Sequence, residues 1–319
     1  MANLEKQVLK TIKEHNLIER GDKVLLGLSG GPDSLSLLHV LKGLEPELGF
    51  TLSALHLNHS VRADADEDAQ WLEEHCAGLA VPLTVLKLDI PAIAKASGTT
   101  VEEAGRIERQ KALLAAGADK VALAHNQGDQ AETVLLRMLR GTGTHGLAAM
   151  EYKRADGLIR PLLDVSRADI EEYCAKQGLS PRIDSTNSSE EYTRNRVRLK
   201  LIPELESEYN PNIKECLARL AENAREDDEA LAQAASEWFE KYKDSSQSLP
   251  IKELQLLQPA IFKRVIKLAF AEIGLDEDIA AVHLNSLKQA IDKNYGGKVI
   301  EFPKGYTALI EKGKLILRK

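Results

Sequence analysis

The chain has 319 residues, 49 of them acidic and 42 basic, with a net charge of −7 and 43% hydrophobic residues. That length allows two domains with sizeable cores, and the acidic balance excludes a uniformly basic nucleic-acid binder while permitting local basic faces. The three cysteines, Cys76, Cys174 and Cys216, lie far apart without a C-x-x-C, against a disulfide framework or cysteine metal site, and no apolar run approaches the roughly 18 residues of a membrane span.

In chain order, Met1–Arg20 has an amphipathic helical pattern with Glu5, Glu14 and Glu19, and lacks the apolar stretch of a signal peptide. A cytoplasmic enzyme is the default expectation. Lys23–Leu28 then reads as a buried strand, and Leu35, Leu37, Leu38, Val40 and Leu41 recur at helical spacing. Between them lies Ser29-Gly30-Gly31-Pro32-Asp33-Ser34, a strand-to-helix turn. Its glycines let the backbone approach a ligand closely. Successive amide N–H groups and the helix dipole suit a phosphate or pyrophosphate, and Pro32 fits the first helical position.

Further strands are predicted at Thr51–Asn58, Pro82–Asp89 and Lys120–Ala124, with a short run at Leu158–Leu163. Helices are predicted at Leu35–Leu44, Asp66–Leu79, Val101–Ala116 and Asp129–Arg140. This alternation gives an α/β fold with a mostly parallel sheet and helices on both faces. Ligands of such sheets bind beyond the carboxyl ends of the strands. Ser29–Ser34, His56-Leu57-Asn58-His59 and His125 all fall there. His125-Asn126-Gln127-Gly128-Asp129-Gln130-Ala131-Glu132-Thr133 runs from a strand end into a helix, so that Asp129 and Glu132 face one side. Paired carboxylates beside a phosphate loop suggest Mg²⁺; an ordinary acidic helix start is the plainer reading.

After about Asn210 the pattern becomes mainly helical. Ile213, Leu217, Leu220, Ala224, Leu231, Ala234, Trp238 and Tyr242 mark one helix face, and Asp244–Pro250 reads as a polar linker. More helix follows through Gln289. Lys298–Phe302, Tyr306–Glu311 and Lys314–Arg318 read as short strands joined by Lys304-Gly305 and Lys312-Gly313 turns. The predicted domains are therefore 1–210 and 211–319. Basic charge gathers at Arg194, Arg196, Arg198 and Lys200, and again along Lys288–Lys319, where Lys298, Lys304 and Lys312 are candidates for a nucleic-acid backbone.

The 29–34 turn is not a Walker loop, since no lysine follows the glycines closely. Gly27-Leu28-Ser29-Gly30-Gly31 matches the nucleophile elbow of a hydrolase, but only about 20 residues precede it, too few for the strand that carries an oxyanion loop. Ser29–Ser34 resembles S-G-G-x-D-S, the loop of the N-type ATP pyrophosphatases (the PP-loop superfamily), at every fixed position. Within that superfamily the chain is similar to the tRNA(Ile)-lysidine synthetases. The likeness rests on His125-x-x-x-Asp129-Gln130-x-Glu132-Thr133 with Arg140-Gly141-Thr142-Gly143, and on His56-Leu57-Asn58-His59-Ser60-Val61-Arg62. It extends to Arg106-x-x-Arg109, Arg160-Pro161-Leu162-Leu163, Asp184-Ser185-Thr186-Asn187 and Tyr192-x-Arg194-Asn195-x-Val197-Arg198.

This resemblance implies a PP-loop, Rossmann-like domain followed by a helical tRNA-binding domain, in a short form without the second C-terminal domain of longer members. It implies an ATP-dependent ligase that adenylates the wobble cytidine of tRNA(Ile) with a CAU anticodon and joins it to the ε-amine of L-lysine. Ser29, Gly30, Gly31, Pro32, Asp33 and Ser34 would then hold ATP, with His56, Asn58 and His125 near the nucleotide and Asp33 and Asp129 toward Mg²⁺. Asp129 and Glu132 are candidates for the amine, and Arg109, Arg194 or Arg198 for charge at the α-phosphate. A homodimer is left open. The sequence departs from the family at Gly128, where an acid is usual, and at Gln110, where an aromatic is frequent. Competing readings are another AMP-transferring tRNA enzyme, such as a thiolase or amidotransferase synthetase, an RNA-binding protein on a degenerate fold, and a Ser29 hydrolase.

Overall fold

A computed structural model describes residues 2–58, 65–182, 193–244, 248–293 and 295–319. His59, Ser60, Val61, Arg62, Asp184, Ser185, Thr186, Asn187 and Tyr192, named in the motifs above, lie outside the described residues. The chain divides into two compact units, Met1–Glu222 and Asn223–Lys319.

The first unit opens with α1 (Asn3–Glu14), β1 (Lys23–Gly27), α2 (Pro32–Leu48), β2 (Thr51–Asn58) and α3 (Ala65–Gly78). It continues through β3 (Leu83–Lys87), α4 (Ile90–Ser97), α5 (Val101–Ala115), β4 (Lys120–Ala122) and α6 (Gln127–Leu139). Then come α7 (Thr144–Leu147), β5 (Leu158–Ile159), α8 (Arg167–Lys176), α9 (Thr193–Arg196), a π-helical turn (Val197–Leu201) and α10 (Ile202–Glu208). The thirty-residue α11 (Ile213–Tyr242) follows, its residues from Asn223 belonging to the second unit.

Five parallel strands form one sheet in the order β3-β2-β1-β4-β5. The chain winds outward from β1 through β2 to β3, then returns to place β4 on the other side of β1. That reversal opens a crevice at the carboxyl ends of β1 and β4, where doubly wound sheets bind ligands. Register aligns the two strands there, with Val24 opposite Lys120 and Leu26 opposite Ala122. Val24, Leu26, Leu35, Leu38 and Leu41 are fully buried, so strand and helix on either side of the 29–34 turn are anchored in one apolar core. The expected strand at 158–163 is only two residues long; Leu162 and Leu163 instead turn into the core. Helices α4 and α8 are additions to the predicted elements. Each is short and buries only two or three side chains, too few for a clear period.

In the second unit the segment read as a linker is partly a strand. Asp244 accepts from the Ser248 amide (2.9 Å) and hydroxyl (2.7 Å), and β6 (Ser248–Pro250) pairs with a strand far along the chain. Three residues carry no periodic signal, so this partner was invisible locally. After β6 come α12 (Ile251–Gln255), α13 (Pro259–Glu272), α14 (Ala281–Asp292), β7 (Val299–Glu301), a 3₁₀ turn (Pro303–Gly305), β8 (Thr307–Glu311) and β9 (Lys314–Arg318). The sheet is antiparallel, in the order β6-β9-β8-β7. Lys312 (φ 48°) and Gly313 (φ 75°) close the β8–β9 hairpin with both central residues left-handed, the geometry that matches strand twist. No helix among the described residues is long and apolar enough to cross a membrane.

Phe262, Phe270, Phe302 and Tyr306 form the aromatic centre of this unit, with the Phe270 and Phe302 rings 4.2 Å apart. Phe270→Ala is expected to destabilise the second unit by about 3–5 kcal/mol. Urea unfolding followed by Trp238 fluorescence in a Trp71→Phe background measures this; a shift under about 1 kcal/mol would show that the cluster relaxes around the void.

Candidate active site

The 29–34 turn owes its shape to Gly30, whose φ of +83° is left-handed, and to two serines that tie the turn shut. The Ser34 hydroxyl accepts from the Ser29 amide (3.1 Å), contacts the Ser29 hydroxyl (3.0 Å) and donates to the Gly31 carbonyl (3.1 Å). Gly31 caps α2 and Pro32 opens it. The amides of Asp33 and Ser34, in the first helical turn, have no intrahelical acceptor and lie at the positive end of the helix. The turn can therefore receive an anion. The Ser29 hydroxyl bonds to Ser34 and the Gly31 amide, and among the described residues no imidazole bonds to it as a base.

The Asp33 carboxylate is held on both oxygens. Asn126 Nδ2 donates to Oδ1 at 2.7 Å and an Arg167 guanidinium N–H donates to Oδ2 at 2.6 Å. Asn126 has a second task. Its Oδ1 accepts from the Gly128 and Asp129 amides (2.8 and 3.3 Å), capping α6, while its own amide donates to Asp129 Oδ2 at 3.0 Å. One buried side chain thus joins the start of α2 to the start of α6. A Cβ at Gly128 would stand 3.1 Å from Asn126 Oδ1, so an acid at this position would require the cap to give by a few tenths of an ångström. Sequence reasoning passed over Asn126 and Arg167. An Asn three residues before an Asp at a helix start is a readable cap signal; Arg167 carried none.

Asp129 and Glu132 do face the same side of α6, and Arg194 spans them. Its Nε donates to Glu132 Oε2 at 2.8 Å and a terminal nitrogen donates to Asp129 Oδ1 at 3.2 Å. Arg198 Nε lies 3.6 Å from Glu132 Oε1. The Glu132 side chain is only 4% exposed. Burial, reinforced by the Asp129 charge, raises the Glu132 pKa despite Arg194 and Arg198, while the two acids outweigh burial and raise that of Arg194. Arg194 and Arg198 are thus engaged with the acids.

His56 and Asn58 end β2, both buried. His56 Nδ1 is 2.9 Å from the Leu28 carbonyl, and Asn58 Nδ2 donates to the Ala65 carbonyl and to Asp66 Oδ1 (2.8 Å). Arg160 Nε donates to His125 Nδ1 at 3.3 Å, which leaves the proton of a neutral ring on Nε2. Burial first, then the charges of Arg160, Arg194 and Arg109, push His125 down to about 4 against the pull of Asp129, so it is neutral at physiological pH. His56 is also lowered, mainly by burial, with Arg109 contributing. The exposed Arg109 on α5 therefore acts on both imidazoles, whereas Arg106 pairs with Glu103 at 2.7 Å on the helix surface.

Among the described residues no three acidic, histidine or cysteine side chains gather into a cation cluster. Asp33 and Asp129, both bonded to Asn126, supply a sparse set of carboxylates. That suits Mg²⁺, which takes one or two carboxylates and completes its shell with water and substrate phosphates.

Residues 1–205 match the family of PP-loop domains. The chain is 35% identical to the tRNA(Ile)-lysidine synthase of Clostridioides difficile (strain 630) over 321 residues, covering 98% of this chain and 70% of that protein. It is 38% identical to the tRNA(Ile)-lysidine synthase of Clostridium perfringens over 323 residues, covering 99% and 69%. Among solved structures it is similar in fold to the U34-tRNA thiolase NcsA from Methanococcus maripaludis, with a TM-score of 0.58 and 19% identity, over 69% of this chain and 77% of that one.

Asn126→Ala is expected to lower stability by about 1 kcal/mol through the lost helix cap and to raise the KM for ATP by freeing Asp33. Denaturant midpoints and ATP kinetics check the two effects. An unchanged KM would show that the junction has no part in placing the loop.

Proposed function

The chain belongs to the tRNA(Ile)-lysidine synthase family of PP-loop proteins, and on that premise we propose how its residues carry out the ligation of lysine to a wobble cytidine with ATP cleaved to AMP and pyrophosphate. The carrying observation is the Asn126 junction, which sets an anion-binding turn beside an acid pair whose Glu132 is buried. The reaction needs such neighbours. The 2-oxo group of cytosine is a poor leaving group; joined to AMP it becomes a good one. The lysine ε-amine, having given up its proton, then attacks the ring carbon and AMP departs.

The amides of Asp33 and Ser34 and the serine-tied turn bind the polyphosphate end of ATP, with Arg167 supplying a cation that the motif itself lacks. Asp33 and Asp129 would hold Mg²⁺, which neutralises polyphosphate charge when bound. His125, neutral and presenting Nε2–H, and His56 fit contact with a nucleobase rather than with a phosphate. Arg109, exposed on α5 and acting on both imidazoles, suits the α-phosphate. Asp129 and Glu132 receive the ammonium and take up its proton.

The second unit grips the tRNA. Lys304 pairs with Asp278 (3.0 Å), Lys312 lies 3.9 Å from Glu311, and Lys298 stands over the Tyr295 ring. Such exposed contacts are weak and screened by solvent, so each lysine can exchange its partner for a phosphate. A cytoplasmic site of action follows from the substrate. Two of the three cysteines do not suit sulfur transfer: Cys76 is buried, its thiol pushed up to about 11 by desolvation, and Cys174 is raised as well, mainly by burial. Neither is a ready thiolate.

The test is pyrophosphate release with tRNA and lysine, ornithine or ammonia compared. Release that needs both tRNA and lysine is expected, and Asp33→Ala should lower it by about a hundredfold or more. Near-normal release by that variant, or release indifferent to lysine, would overturn the assignment.

A further inference from the structure

The acid pair assigned to the ammonium already holds a cation. Arg194 bonds to both carboxylates, and Arg198 lies 3.6 Å from the other Glu132 oxygen, so two negative charges face two guanidinium groups. Adding a lysine ammonium would leave a surplus positive charge where the Glu132 side chain is 4% exposed. Removing Arg194 with nothing in its place would leave a buried carboxylate short of a partner. Both states are costly. The pair therefore takes one cation in exchange for another.

We propose that Arg194 is a resident stand-in for the lysine ammonium, held by Asp129 and Glu132 until bound nucleotide draws it away, so that lysine binds well only after ATP. This rests on the lysidine-forming reading of the site. Arg194 is fitted for the exchange: its side chain is 40% exposed and it sits on α9, a helix of only four residues. Its destination is close by connectivity. Asp129, which it holds, bonds to Asn126, and Asn126 bonds to Asp33 in the polyphosphate turn. A polyphosphate there competes strongly for a guanidinium, which binds phosphate in the same forked manner as carboxylate. The same movement vacates Glu132 Oε2 and Asp129 Oδ1 and adds a positive charge to the nucleotide side. Nucleotide and amine are thereby coupled with no change of fold.

Equilibrium dialysis of labelled L-lysine against the full chain, with and without the non-cleavable analogue α,β-methylene-ATP, measures the coupling. For the parent, lysine affinity is expected to rise by between about fivefold and 150-fold when the analogue is present. Arg194→Met should bind lysine with little dependence on the analogue, at an affinity near that of the loaded parent. Arg194→Lys keeps a cation on the acids, so it should retain part of the dependence; with a thermal midpoint near the parent's, it also shows that the site still folds. Parent affinity that is the same with and without the analogue overturns the exchange while leaving the lysine reading intact. Equal analogue dependence in the parent and Arg194→Met also overturns it, because the coupling then passes through other residues. If lysine binds in neither state and ornithine or ammonia drives pyrophosphate release instead, the lysine reading falls and this inference falls with it.

Discussion

A single amide side chain holds the two halves of the site together. Two helices begin beside each other because β1 and β4 are neighbours, and both point their positive ends into one crevice. Left alone, that arrangement would collect anions without order. Asn126 gives it order because its side chain has a donor for Asp33 and an acceptor for the amides of α6. An Asp in its place would cap the helix but repel Asp33, and a Ser has only one short arm for both tasks. The orientation of Asp129, and through it the seat of Arg194, follows from this contact.

The charges around that junction are closely matched. Asp33 faces Arg167, the acid pair faces Arg194 and Arg198, and the one histidine between several cations is kept neutral. Groups paired in this way are fixed before any substrate arrives, which is how a site lowers the reorganisation its chemistry would otherwise require. Arg160 shows the second layer of this design. It is buried, lowered to about 10 chiefly by burial and so still cationic at neutral pH, and it spends its donors on His125 and the Glu151 carbonyl.

The parallel sheet, the loop and the acid pair were legible in the sequence because each follows a local rule. Glycines mark a left-handed turn, an apolar run marks a buried strand, and a spacing of three places Asp129 and Glu132 on one helix face. What escaped was everything decided between distant segments. Arg167 meets Asp33 across 134 positions, and Arg194 meets Glu132 across 62, so neither pairing leaves a local trace. The arginines were legible as charges but not as partners. The resemblance supplied a role for Arg194 and none for Arg167, and the fold showed which acids both rest on. The same holds for β6, where three residues become a strand only because β9 lies beside them.

Those short outer strands have a further consequence. In the antiparallel sheet the two margins are β6 and β7, each three residues long, and β6 ends in Pro250, which has no N–H to offer. In the parallel sheet one margin is the two-residue β5, and the other, β3, ends on Lys87, a charged side chain ion-paired with Asp66. Margins this brief, interrupted or charged make poor templates for a strand of another molecule. Edge-to-edge pairing of two copies through either sheet is thereby disfavoured.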